Sequence, residues 1–265
     1  MFRKFVKLTL ILILSYQTPL YSKSTSFNEL NSRDLSNYFS GIVAFENQEN
    51  LDALKFFNSS KILINKHDPY IKRYVYSLVL ENKVSQSINV IKNSGDKVNI
   101  NFFDAYLLLI IDSLKKNNFE KAEKYLSKIT NLNKSDRFHP VITGILKNFI
   151  HTFNKKEILY NDVNFGNISL ISQALQRCYL KKDSTRSSFL NLINNPNGDY
   201  SRYKFFYANF LIANKKIEEA KDIFDEIEFI DSTLLLSQGK IWIENNEYKK
   251  FTKIFSCRNH NDIVS

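Results

Sequence analysis

The sequence predicts an all-α chain built from repeated helical hairpins, and three observations lead there. The 265 residues include only 6 Gly and 4 Pro, too little punctuation for a sheet protein, which needs a turn roughly every 8 to 12 residues. With 43% apolar and 24% charged residues, the composition is that of an ordered protein rather than a disordered tail or a small stapled scaffold. The third observation is internal repetition at a period of roughly 33 residues.

The chain opens with Arg3, Lys4 and Lys7, then the apolar run Leu8 to Leu14, then Pro19 and the small residues Ser22 and Ser24. This is the three-part layout of a secretory signal over residues 1–24, cut after Ser24 or, less well, after Ser22. The run is well short of the roughly 20 residues that span a bilayer, and an uncleaved inner-membrane anchor is the competing reading. No Cys precedes Cys178, so no lipid can be attached beside the export signal. Cleavage takes away Arg3, Lys4, Lys7 and Lys23 and lowers the net charge from +10 to +6. Residues 25–33 then read as a linker and 34–258 as the repeat domain. Residues 259–265 read as the start of a further element, in a chain either truncated or completed by a partner.

The repeat shows best in three segments: Asn50 to Phe57 around Ala53, Asn118 to Leu126 around Ala122, and Lys216 to Phe224 around Ala220. Each is an amphipathic helix start with a small residue and, four positions later, a large apolar one on the same face: Phe57, Leu126 and Phe224. Weaker copies lie at Ser87 with Ile91, near Lys156 and around Ser187; a last unit places Phe251 at the small-residue position, with Phe255 after it. Upstream of these anchors, always at one distance, stand Gly41, Gly144, Ala208 and Gly239. Glycine inside a helix costs roughly 1 kcal/mol, so close helix packing is the expected reason for it. Pro69, Pro140 and Pro196 fall between units, where a helix must stop. Asn47, Asn117, Asn154, Asn214 and Asn246 stand where the turn wants a left-handed residue.

A repeat of this length, with Gly or Ala in its first helix, Ala in its second and an aromatic four later, resembles the tetratricopeptide repeat. The best copies are residues 34–66, 103–133, 201–230 and 232–256. Most units lack the Trp and closing Pro of that family. The signal and the Lys- and Asn-rich composition are similar in layout to exported tetratricopeptide-repeat proteins of alphaproteobacteria. The resemblance implies a right-handed superhelical solenoid of antiparallel helix-turn-helix repeats, about seven units long, whose first helices line a concave groove. It also implies partner-binding side chains at Tyr38, Phe45, Asp104, Arg202, Phe205, Asn209, Lys240 and Glu244. The packing positions become Gly41, Ala53, Phe57, Ala122, Leu126, Gly144, Ala208, Ala220, Phe224, Gly239 and Phe255.

Chemistry-bearing patterns are scarce. His67, His139, His151 and His260 form no i, i+4 pair and stand beside no Cys at metal spacing, so no zinc site is expected. There is no Gly-rich phosphate loop and no nucleophile elbow. The carboxylates Glu218, Glu219, Asp222, Asp225 and Glu226 lie along one helix in alternation with Lys, as on a solvated surface. Cys178 lies in an apolar helix and reads as a packed thiol; an exported chain could pair it with Cys257 if the fold brought them together. Trp242 reads as core. The Lys pairs 115–116, 155–156, 181–182 and 215–216 follow the ends of first helices, where cations complement the helix dipole; a basic edge facing an acidic partner or the cell envelope is the functional alternative.

The expected function is that of an exported, periplasmic scaffold without catalysis, cofactor or metal, holding a protein or peptide in its groove. Two alternative readings are a helical accessory of a cell-wall enzyme or envelope assembly, and an RNA-binding repeat. Export and the lower mature charge oppose the second, so no nucleic-acid partner is expected.

Overall fold

The computed structural model describes residues 31–94, 100–130, 132, 138–159, 163–225 and 234–265. The predicted signal segment 1–24, most of the linker and Glu226 lie outside these. Among the described residues the chain forms fourteen α-helices, one 3-10 helix and no strand, so it is all-α. None of the helices is long and apolar enough to cross a membrane. The chain divides into two compact units, Met1–Lys83 and Val84–Ser265.

In the first unit α1 (Ser32–Glu46), α2 (Asn50–Ser59), the 3-10 helix Lys61–Asn65 and α3 (Asp68–Leu80) pack on one another. Helix α1 starts earlier than predicted, because the Asn31 carboxamide oxygen accepts from the backbone N–H groups of Arg33 and Asp34 at 2.5 and 3.3 Å and supplies an N-cap. Gly41 lets α2 approach: a Cβ there would lie 2.8 Å from the Phe57 ring. Around Phe57 the rings of Tyr38 and Tyr70 gather at centroid distances of 6.2 and 5.9 Å. The Tyr70 hydroxyl donates to the Phe57 carbonyl; burial, then the neighbouring Tyr74, pushes its pKa far above the ordinary phenol value.

The second unit comprises α4 (Val84–Ser94), α5 (Phe103–Lys115), α6 (Phe119–Thr130), α7 (Phe138–Lys155), α8 (Asn167–Tyr179), α9 (Thr185–Ile193), α10 (Ser201–Ala213), α11 (Ile217–Asp225), α12 (Leu234–Glu244), α13 (Lys249–Ile254) and α14 (His260–Val264). From α4 to α12 each helix packs on the next, α13 packs on α10, and α14 returns to α5. Two cores result: one from α8 to α13 around Phe189, Phe205, Phe224 and Phe251, and one from α5 to α7 around Ile110, Ala122 and Phe153.

One turn recurs. Helices α1, α3, α5, α8, α10 and α12 all end in a left-handed residue: Gln48, Asn82, Asn117, Lys181, Lys215 and Asn246, with φ between 55° and 64°. In each, that residue and its successor return two backbone hydrogen bonds to the last helical turn, as Asn117 N–H to Leu114 O at 3.0 Å and Asn118 N–H to Ser113 O at 2.8 Å; this is the Schellman closure. Three of these turns, at Gln48, Asn117 and Lys215, precede the helices that carry Ala53, Ala122 and Ala220. Of the five asparagines expected in that conformation, Asn117 and Asn246 adopt it. Asn47 and Asn214 instead precede the left-handed residue, with φ of −80° and −102°, and Asn154 is inside α7.

The packing positions follow the same phase. Ala53, Phe57, Ala122, Ala208, Ala220, Phe224 and Phe251 are almost fully buried, and Leu126 and Phe255 nearly so. The Ser187 unit is off register: Ser187 is exposed while Thr185 and Ser188 are buried, because α9 starts four residues after its turn residue where α2, α4, α6 and α11 start two after theirs. At Lys156 no second helix follows. That lysine is left-handed with φ 59° and ends α7, and the chain is non-helical in the described residues up to α8. Pro69 and Pro140 stand in the first turns of α3 and α7, and Pro196 in a loop, all tolerated positions.

Candidate binding surface

Two features of the second unit stand out: a polar cavity beside the break after α7, and a C-terminal segment lying across the ends of several helices.

The cavity, of about 340 Å³, is lined by Asn148 of α7, by Ile158, Leu159, Val163 and Asn164, and by residues of α8. Its buried lining is polar: Asn148, Ser172 and Gln176 are 9%, 2% and 3% exposed. The Thr152 hydroxyl donates to Gln176 Oε1 at 2.8 Å, and Gln176 Nε2 donates to Ser172 Oγ at 2.6 Å. A carboxamide has two N–H donors and two acceptor lone pairs, so these bonds leave Gln176 one of each. At the rim Arg177 donates to Ser188 Oγ at 2.5 Å and has further guanidinium donors. The arrangement offers both donors and acceptors, which is what a peptide backbone requires, with a cation beside it for a carboxylate.

Sequence reasoning missed this group. The signal was present as polar residues at i, i+4 on buried faces, Asn148 with Thr152 and Ser172 with Gln176. The Phe165 ring occupies the space a Gly144 side chain would need: a Cβ there would lie 2.5 Å away.

Of the predicted partner-binding residues, Tyr38 and Phe45 lie in the first unit, and Asp104, Arg202, Phe205, Asn209, Lys240 and Glu244 in the second. Tyr38, Phe205 and Asn209 are 5%, 0% and 3% exposed, so they are packing residues and not open to a partner. Tyr38 bonds His67 Nε2 through its hydroxyl at 3.0 Å. Phe205 stacks on Phe251 with centroids 5.1 Å apart. Asn209 Nδ2 donates to the carbonyls of Phe251 and Phe255 at 2.7 and 2.6 Å, closing the end of α13. The cause is register: one residue of error turns a side chain by about 100° around a helix. Phe45, Asp104 and Lys240 are half-buried, and Arg202 and Glu244 exposed. Arg202 lies over the Phe206 ring at 5.4 Å.

Cys178 is corrected too: it is bonded to Cys257, with Cα atoms 5.7 Å apart, and is no free thiol. Residues 259–265, expected to begin a further element, form α14, packed on α5. The lysine pairs fit the turn-and-dipole reading: Lys181 and Lys215 take the left-handed position, Lys116 pairs with Asp112 at 2.6 Å and Lys216 with Glu219 at 3.3 Å. Trp242 is half-buried against Phe251, with centroids 5.5 Å apart. Among the described residues no group of three or more His, Cys, Asp or Glu is placed to hold a metal ion.

Compared with protein-family models, curated proteins and solved structures, the chain matches none of them.

Proposed function

We propose that the chain is an exported helical-repeat scaffold, a tetratricopeptide-like solenoid that holds a partner protein through a peptide segment and carries out no catalysis. The observation that carries this reading is the cavity between α7 and α8. Buried carboxamide and hydroxyl groups face it at the one place among the described hairpins where a second helix is replaced by non-helical chain. Pockets with few convergent polar groups of this kind orient a ligand, and a backbone segment satisfies amides in both directions. The cystine supports export, since such bonds persist in oxidising compartments such as the periplasm.

The test is a pull-down from the native periplasm with the mature chain beside Gln176→Leu and Arg177→Ala. Partners retained by the wild type should be lost from Gln176→Leu and reduced at least about tenfold with Arg177→Ala, equivalent to one charge-assisted hydrogen bond. An identical retained set for all three chains would sink the assignment of the cavity.

A further inference from the structure

We infer that residues 255–265 form a cystine-held latch, which a dithiol reductant releases from the helix ends it covers. This goes beyond the proposed scaffold role and stands whether or not the α7–α8 cavity takes a partner.

The segment leaves α13 in extended conformation at Phe255, with φ −155° and ψ 139°, and alternates: Phe255 and Cys257 are buried, Arg258 and Asn259 exposed. Its contacts reach five helices, most of them near a helix end. Phe255 stacks on Phe206 of α10 with centroids 3.8 Å apart. Cys257 is bonded to Cys178 at the end of α8. Arg258 donates to Asn214 Oδ1, just past α10, at 3.0 Å. His260 reaches the Leu114 carbonyl of α5 at 3.1 Å, and its ring meets Phe119 of α6 and Phe153 of α7 at 5.7 and 5.6 Å. Ile263 touches both apolar cores of the unit. The segment thus bridges helices that otherwise contact mainly their sequence neighbours.

Beyond the cystine, the segment is tied down by individual side-chain contacts rather than by a buried helix face. Helix α14 has five residues, all half-exposed, far too short to persist alone. Two contacts keep its start folded on itself, Ser256 N–H to Asp262 Oδ2 at 2.8 Å and Asn259 Nδ2 to Asp262 Oδ1 at 2.9 Å, and they do not bind it to the helices beneath. Asn261 Oδ1 is buried without a hydrogen-bond partner, an unfavourable contact that release relieves. Cys178 and Cys257 are 1% and 6% exposed, so a reductant reaches them when α14 peels back, a local opening rather than global unfolding. A thiolate of the dithiol then attacks one cystine sulfur, forming a mixed disulfide and freeing one cysteine, which takes up a proton. The second thiol of the reductant resolves the mixed disulfide, so two electrons and two protons reach the cysteines and the reductant leaves as its disulfide. Release uncovers an apolar strip at Phe119, Phe153 and Phe206.

The experiment is hydrogen exchange with mass spectrometry on the full chain, oxidised and after dithiothreitol, alongside the Cys178→Ser/Cys257→Ser double variant and the Cys257→Ala single variant, with far-UV circular dichroism on each. Amides of 256–265 should exchange at least about tenfold faster once the cystine is gone, with α5, α8 and α10 changing less than about twofold and the helix signal retained. Equal protection in oxidised and reduced chains would overturn the proposal. So would loss of protection across all helices, which would make the cystine a general staple.

Discussion

The stretch from α10 to α13 and the stretch from α7 to α8 solve one packing problem in different ways. In the first, Gly239 gives up its side chain to the Phe224 ring, which would stand 2.7 Å from a Cβ there. Phe205, Phe224 and Phe251 interlock at centroid distances of 5.1 Å between Phe205 and Phe251 and 5.8 Å between Phe224 and Phe251. In the second, Gly144 leaves a similar slot and Phe165 fills it from a non-helical segment. A glycine slot therefore demands a ring, and either a helix or a loop can deliver one. Only the helix brings a second row of apolar side chains. Where the loop stands in, Thr152, Ser172 and Gln176 bond one another and a cavity remains.

The sharpest way to break this comparison is to remove the ring from each region. Phe251 is fully buried, so Phe251→Ala should cost about 3–5 kcal/mol. Phe165 is half-buried and comes from a non-helical segment, so Phe165→Ala should cost about 1–2 kcal/mol, with partial collapse limiting the cavity term. Urea unfolding of the two variants measures both. Equal losses would mean that the loop-borne ring is as tightly fixed as the helix-borne one.

A smaller effect comes from filling the slots. Gly239→Ala meets two buried rings, Phe224 and, at 3.1 Å, Phe205; an overpacking term of about 1–3 kcal/mol exceeds the propensity gain of roughly 1 kcal/mol. Gly144→Ala meets only Phe165, which can swing away, so the propensity gain should survive and the variant should be neutral or slightly stabilised. Thermal unfolding of the pair should show opposite or clearly separated shifts in Tm, and matching shifts would refute the distinction.

These two regions also show what the sequence could convey. The small-residue phase at Gly41, Ala53, Ala122, Ala208, Ala220 and Gly239 was legible because close packing leaves few residue choices, and all are at helix contacts in the structure. The left-handed turn positions were half legible: Lys181 and Lys215 occupy them, and nothing about a lysine announces positive φ. The missing helix after α7 was hidden, because Lys156 stands at the repeat spacing while its following residues do not close a hairpin. The partner-facing residues were the least legible. Phe205 and Asn209 differ from surface positions by a turn of one or two residues, and only the packed neighbours decide which side faces in. The Cys178–Cys257 pairing depends on the segment after α13 folding back, which no local pattern encodes.

The smallest expected effect asks whether charge contributes to either kind of packing. Surface pairs on the regular helices, such as Lys221 with Glu218 at 2.9 Å, are exposed and contribute little. Asp112 of α5 is different: its side chain is 12% exposed and meets Lys92 of α4 and Lys116, both at 2.6 Å. Burial works against its ionisation, but Lys116 and Lys92 outweigh that and hold its pKa below the ordinary carboxylate value. A carboxylate depressed in the folded state stabilises the fold above its unfolded pKa of about 4, and that contribution is lost as the pH falls through the lower folded value. Asp112→Asn should therefore cost about 1 kcal/mol at pH 7, and that cost should shrink at an acid pH of about 2, as the carboxyl takes up its proton. Urea unfolding at the two pH values checks this; a difference that persists undiminished in acid would show that Asp112 acts through shape and neutral hydrogen bonding, and that charge adds nothing to the α4–α5 contact.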